Sequence, residues 1–279
     1  MSVLAVTGTG TEIGKTVVTA AIAALAIAAG RGVAVLKPAQ TGLAAGELCD
    51  IAVLKPARSG PAPSELCDIA AVKAAQTGLA AGELCDVDQV ARLAGPVTRR
   101  ELARYPEPLA PATAARRSGL PVVRPRQAAE AAAELAEDHD LVLVEGAGGL
   151  LVRYDDEGAT FADVVAELGD LGVDVTVLVV TTAGLGTLNT TALTAEALRA
   201  RGLPLRGLVI GSWPTAPDLA ARCNLADLPA VADAPLLGAL PQGCANGDRE
   251  SFLATARTAL AGQLGGTWDA AAFTAEHAP

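Results

Sequence analysis

The chain has 279 residues, room for one sizeable α/β domain or two small ones. About half of it is apolar (51%), mainly Ala, Leu and Val, while aromatics reach only 3%; this suits helices layered on a buried sheet. A net charge of −10 argues against a nucleic-acid or anionic-membrane partner, which needs a basic face.

Leu4 to Thr7 reads as a first buried strand, and Lys15 to Ala29 as a helix that Gly30 ends. Between them "GTGTEIGKT" has the strand–turn–helix setting of a phosphate-binding loop. Backbone N–H groups of the turn converge on phosphate oxygens, and the helix dipole adds a favourable field. Gly14 clears space for phosphate, Lys15 puts an ammonium beside the β- and γ-phosphates, and Thr16 offers a hydroxyl to Mg²⁺. The usual pattern G-x-x-x-x-G-K-[ST] asks for glycine at position 9, where Thr9 stands between Gly8 and Gly10. No lysine occurs from Thr9 to Ile13, which disfavours a partitioning-type ATPase switch.

A second strand, Val33 to Leu36, is expected to stop before Pro38 and to leave Lys37 free to neutralise a second anionic substrate. Residues 33–86 hold three consecutive copies of an 18-residue unit, "VAVLKPAQTGLAAGELCD", "IAVLKPARSGPAPSELCD" and "IAAVKAAQTGLAAGELCD". The copies are too short and too few for a solenoid and read as a tandem duplication inside one connection, with the surplus looped out. Lys37, Lys55 and Lys73 therefore compete for one role, as do Asp50, Asp68 and Asp86. The five cysteines include Cys49, Cys67 and Cys85 at the repeat spacing, with no C-x-x-C pair, so reduced thiols are expected. No basic leader precedes the first apolar run and no run is long enough to span a bilayer, so a cytoplasmic location is expected.

"DVDQVARLAG" and Gln127 to Glu137 read as helices, and Leu141 to Val144 as a strand running into "EGAGG". Glu145 then stands at the carboxyl end of a strand, where α/β sheets bind ligands; Gly146, Gly148 and Gly149 let the backbone pass close to one. The strand "DVTVLVV" precedes a polar loop and a helix from Leu188 to Arg199, with Asn189 either a hydrogen-bonding candidate or a helix cap. "RGLVIG" and "APLLGAL" read as strands, and a last helix lies within Glu250 to Leu264. The alternation implies βαβ units in a single doubly wound, mainly parallel sheet with helices on both faces, spanning residues 1–264. Residues 265–279 are expected to form a loosely packed tail.

Taken in order, "GTGTEIGKT", "LKPAQTG", "LVEGAGGLLV", "GLGTLNTTALT" and "APLLGALP" resemble the dethiobiotin synthetase family, from the first strand to about Gln242 apart from the repeat. That family carries one additional residue between Gly8 and Gly14, which accounts for the displaced glycine. The resemblance implies a cytoplasmic, homodimeric P-loop ATPase of biotin synthesis, an ATP-dependent cyclo-ligase. It joins 7,8-diaminononanoate to CO₂ with ATP and Mg²⁺, through a carbamate and a mixed carbamic–phosphoric anhydride. Such chemistry needs charge neutralisation and alignment more than a protein base, in keeping with only two histidines.

Carried over by resemblance, Lys15 and Lys37 are catalytic, the first on the transferring phosphoryl group and the second on the carbamate. Thr41 and Asn189 contact the substrate, and Thr16, Asp86 and Glu145 ligate Mg²⁺. Glu12, Ile13, Gly14, Lys15, Thr16 and Val17 line the nucleotide, joined by Gly146, Ala147 and Gly148 beside Glu145. Lys37 is preferred because it keeps the Lys-Pro pair one helix beyond the phosphate loop; Asp86 is preferred for the helix it opens, with Asp50 as alternate. Family members often show Asn-Asp near the adenine where this chain has Gly211-Ser212, so the base contacts fall to the backbone there and to Pro241, Gln242 and Gly243. The rival readings are a nucleotide-dependent switch, a relative impaired by the repeat, and an amide-forming ligase of cobalamin synthesis, for which the chain lacks a glutaminase domain.

Overall fold

A computed structural model describes residues 2–43, 50–51 and 84–279. Lys55, Lys73, Asp68, Cys49, Cys67 and the looping-out of the surplus copies lie outside the described residues, and of Asp50 only the backbone is described.

The apolar run SVLAVTG forms β1 (Ser2–Gly8), flanked in parallel by β5 (Leu141–Glu145) and β6 (Val175–Thr181). Beyond β5 lie β2 (Val33–Thr41), β4 (Thr98–Tyr105) and the two-residue β3 (Asp50–Ile51). Beyond β6 lie β7 (Leu205–Trp213) and β8 (Leu236–Pro241), which completes an eight-stranded sheet among the described residues. Every pairing is parallel except that of β3 with β4. The chain winds to one side of β1 and then to the other, and at such a reversal the carboxyl ends of the strands open a crevice.

Two apolar layers cover the sheet. On one face lie α1 (Lys15–Ala28), α2 (Asp86–Ala94) and α8 (Arg249–Ala259). Residues 18–26 of α1 are all buried, and their many alanines let the helix sit close to both the strands and its neighbouring helices. In α2 the buried Val87, Val90, Leu93 and Ala94 recur at helical spacing, so one stripe faces the core. The other face carries α3 (Pro111–Ser118), α4 (Pro125–Asp138), α5 (Phe161–Asp170), α6 (Thr187–Ala200) and α7 (Leu219–Ala232). Among the described residues no helix is long and apolar enough to cross a membrane.

Three features of the fold correct or add to the sequence expectations. First, β2 continues through Pro38 to Thr41, because its pairing with β5 ends at Leu36 and from there it pairs only with β4; the missing N–H lies where β2 is an edge on that side. Second, "TRRELARY" is strand β4 despite its charges: Arg104 and Glu101 are both buried and pair at 2.5 Å. Third, the tail is docked. Trp268 is buried, its backbone N–H donates to Leu260 O, and α9 (Ala270–Glu276) packs against α7 and β8.

Candidate active site

The carboxyl ends of β1, β2 and β5 open into a cavity of about 670 Å³. Its floor is the phosphate loop. Gly14 caps α1 with φ +92°, a left-handed conformation that favours glycine. The loop rests directly on the end of β7: a Cβ on Gly14 would lie 2.6 Å from Gly211 O, and one on Gly211 would lie 2.0 Å from Ile13 O. Two glycines facing one another thus set the height of the loop.

Lys15 folds back over the loop, its Nζ donating to Gly10 O at 2.7 Å. Burial, and after it the Lys37 ammonium, pull Lys15 down to about 8, against the upward pull of Glu145 and Asp86. A triphosphate would replace the carbonyl as its partner and restore a fully charged clamp.

Lys37 lies at the centre of the polar cluster. Its Nζ sits 2.8 Å from Glu145 Oε1 and 2.5 Å from Asp86 Oδ2, with Gly146 O at 3.3 Å. Lys37 is 4% exposed and Glu145 1%. Burial alone would lower the lysine, but the two carboxylates outweigh it and hold Lys37 above the ordinary lysine range. Asp86 is the converse: burial pushes it up, yet Lys37, with the Thr16 hydroxyl beside it, holds it below the ordinary carboxylate range. Lys37 and Asp86 are thus held in their charged forms at neutral pH, and Lys37 cannot serve as a base.

The carboxylate of Glu145 is fixed at both oxygens. Thr16 donates to Oε1 and Thr19 to Oε2, each at 2.9 Å. The turn after it is held by Tyr154, whose hydroxyl accepts from the Ala147 N–H at 3.1 Å; burial pushes this phenol up to about 12. Gly146 is packed on Phe161, whose ring would lie 2.9 Å from an added Cβ. Asp86 opens α2, and Gln40 Oε1 accepts its backbone N–H at 3.2 Å.

Thr16, Asp86 and Glu145 thus lie side by side, the two carboxylates meeting at the Lys37 ammonium and the Thr16 hydroxyl donating to Glu145. Two carboxylates and a hydroxyl suit Mg²⁺, which takes one or two carboxylates and completes its shell with phosphate and water. Among the described residues no group of three or more His, Cys, Asp or Glu could hold a metal by itself, so the set fits an ion that arrives with a nucleotide.

Of the residues singled out from sequence, Glu12, Ile13, Gly14, Lys15, Thr16, Lys37, Thr41, Asp86, Glu145, Ala147 and Gly148 all line this cavity. Ser212 and Gln242 line a second one of about 320 Å³, with Thr182, Ala183, Gly184 and Pro214. Gly211 sits under the loop and lines neither. Val17 packs into the apolar layer, and Pro241 and Gly243 flank Gln242 at an exposed strand end. Asn189 is exposed in the first turn of α6 and lines neither cavity; it does not cap that helix either, because Gly186 holds the cap position. His139 lies between Thr98 and Leu135 O, and His277 in the tail.

Several contributors have no signal in the sequence reading. Gln40 belongs to the same "LKPAQTG" stretch as Lys37, which could have pointed to it. The rim Pro108, Leu109, Ala110 and Pro111, together with Val152, supplies apolar wall to the cavity. Its proline spacing is visible in the chain, but its place beside β2 is not.

A family model described as an AAA domain matches residues 2–244. The ATP-dependent dethiobiotin synthetase of Streptomyces avermitilis is 57% identical over 279 residues, the whole of both chains. That of Streptomyces coelicolor is 56% identical, again over the whole of both. The protein of the same name from Saccharopolyspora erythraea is 60% identical over 268 residues, 96% of this chain and 99% of the relative.

Proposed function

This chain belongs to the ATP-dependent dethiobiotin synthetase family, and we propose that it joins 7,8-diaminononanoate to CO₂ at the expense of ATP. The observation that carries this reading is the convergence of Lys37, Glu145, Asp86 and Thr16 on one point beside the phosphate loop. One substrate amine adds to CO₂ and loses a proton, giving a carbamate. A carbamate oxygen then attacks the γ-phosphorus and ADP leaves. The second amine attacks the carbonyl carbon of the mixed anhydride, phosphate leaves, and the cyclic urea closes.

In this scheme Lys37, fixed as a cation, pairs with the carbamate and aims its oxygen along the cavity. Lys15 and the N–H groups at the start of α1 hold the triphosphate in line. Thr16, Asp86 and Glu145 would hold Mg²⁺, which supplies charge neutralisation on the phosphates. The wall from Pro108 to Pro111 offers apolar surface to the aliphatic chain, with Thr41 nearby for a polar contact.

The nucleoside is read into the second cavity, because Ser212 directly follows the glycine that seats the loop. Asn189 reaches neither cavity of its own chain, and Leu185 just before it is 93% exposed. A substrate contact by Asn189 therefore calls for a second copy that brings this loop to the first cavity, which supports a homodimer. A cytoplasmic setting follows as part of the same proposal.

Incubation with diaminononanoate, bicarbonate and Mg-ATP, followed by mass spectrometry, tests the reading: a cyclic urea is expected. ATP hydrolysis without that product would point to a nucleotide switch, and no turnover of either kind to an impaired relative.

A further inference from the structure

The two cavities leave an aromatic cluster behind the second one unexplained. The chain has two tryptophans and three phenylalanines, and both tryptophans meet a single phenylalanine of α9. Phe273 lies edge-on to Trp213, with ring centres 5.3 Å apart and planes at 70°, and 5.4 Å from Trp268. His277 stacks on Phe273 at 4.2 Å and meets Trp213 edge-on at 5.2 Å. Its Nδ1 lies 2.9 Å from Phe273 O, which ties the two rings together.

Trp213 is the last residue of β7, and its two predecessors have other tasks. Gly211 seats the phosphate loop and Ser212 lines the second cavity. Gln242, which also lines that cavity, donates its backbone N–H to Trp213 O at 2.8 Å. From Pro214 to Asp218 the wall has neither helix nor strand, so Trp213 is where it is anchored. The helix α9 has seven residues and none fully buried, too short to persist alone in water. It is held by the Asp269 cap, by packing on α7 and β8, and by the ring contacts.

We propose that residues 268–277 form a strap that positions the nucleoside wall: by clamping Trp213 they hold Ser212 and Pro214 in place, and they have no part in binding phosphate. The proposal rests on the reading that the nucleoside occupies the second cavity. Phe273 and His277 act through Trp213 and are positioning residues.

The test compares two probes, Mg-ATP and inorganic tripolyphosphate, binding to the full chain and to Phe273→Ala, by calorimetry. Tryptophan emission reports tail release, since both tryptophans lie in the cluster. Release is expected to shift emission to the red and weaken ATP about two- to tenfold, the size of losing an edge-to-face ring pair, with tripolyphosphate unchanged. Phe273→Leu, which keeps burial, is expected to recover part of the loss. If ATP and tripolyphosphate weaken alike, or neither changes while emission reports release, the strap is overturned and the nucleoside reading stands. If the unaltered chain binds ATP no better than tripolyphosphate, the nucleoside reading falls and the strap with it. Should emission not move in Phe273→Ala, deletion of residues 270–279 is judged by the same two probes.

Discussion

Gly211→Ala is the sharpest steric perturbation the site offers. The added Cβ would lie 2.0 Å from Ile13 O and 2.7 Å from a methyl of Val180. The first of these is a backbone atom of the phosphate loop, so no side-chain rotation relieves it. Reaching even 3.0 Å requires the loop or β7 to move by about 1 Å, and β7 is held by strands on both sides. The loop is the part that yields, carrying Gly14 and Lys15 with it. A displacement of about 1 Å costs on the order of a hundredfold in rate where alignment dominates. Overpacking adds about 1–3 kcal/mol of instability, which lowers Tm by roughly 2–4 °C per kcal/mol in a chain of this size. The assay is kcat/KM for cyclic urea formation alongside a thermal melt. A folded variant within about threefold of the parent rate, far short of the hundredfold cost, would refute the argument that Gly211 sets the loop height.

Removing the cation in Lys37→Met leaves buried Glu145 facing Asp86 without compensation. Breaking such a pair costs about 3–5 kcal/mol, so a clear fall in Tm and loss of product are expected; an unchanged melt would show that the pair is not buried in solution. Gln40→Ala frees the Asp86 N–H and is expected to cost about 1 kcal/mol and raise the Mg²⁺ needed for half-maximal rate, where an unchanged Mg²⁺ titration contradicts the positioning role. Both tyrosines of the chain are raised by burial, Tyr154 to about 12. A raised phenol gives stability that is full below its unfolded value near 10 and is lost as pH climbs towards 12. Absorbance at 295 nm (a phenolate band) should therefore stay low in the native protein at pH 10, and half-ionised tyrosine there would contradict the burial.

How much of this was legible in the chain depended on whether a feature is local. The phosphate loop is contiguous, so "GTGTEIGKT" displayed its chemistry at once. Lys37 and Glu145 were visible because each directly follows a short apolar run, although only Glu145 ends its strand and Lys37 lies within β2. Strand β4 was hidden because "TRRELARY" buries charges that neutralise each other, Glu101 against Arg104, and no polarity pattern announces such pairing. The helices α3, α5 and α7 were also missed: α3 carries few large apolar residues and α7 contains Pro229, whereas α5 was legible, since its buried Phe161, Val164, Val165 and Leu168 recur at helical spacing after the Thr160–Asp163 capping box. Gly211 was read as a base contact because its steric task involves a loop far away in the chain. The pairing of Lys37 with Asp86 across the repeat is a distance, and the chain supplied only candidates for it.

In the proposed reaction a carbamate oxygen attacks the γ-phosphate within the cavity shared by Lys37 and the phosphate loop. Running the reaction briefly with ¹⁸O-bicarbonate and examining the released phosphate tests it directly. The scheme predicts one labelled oxygen carried from CO₂ into each phosphate formed. Unlabelled phosphate accompanying the cyclic urea, or ATP cleaved by water alone, would contradict it.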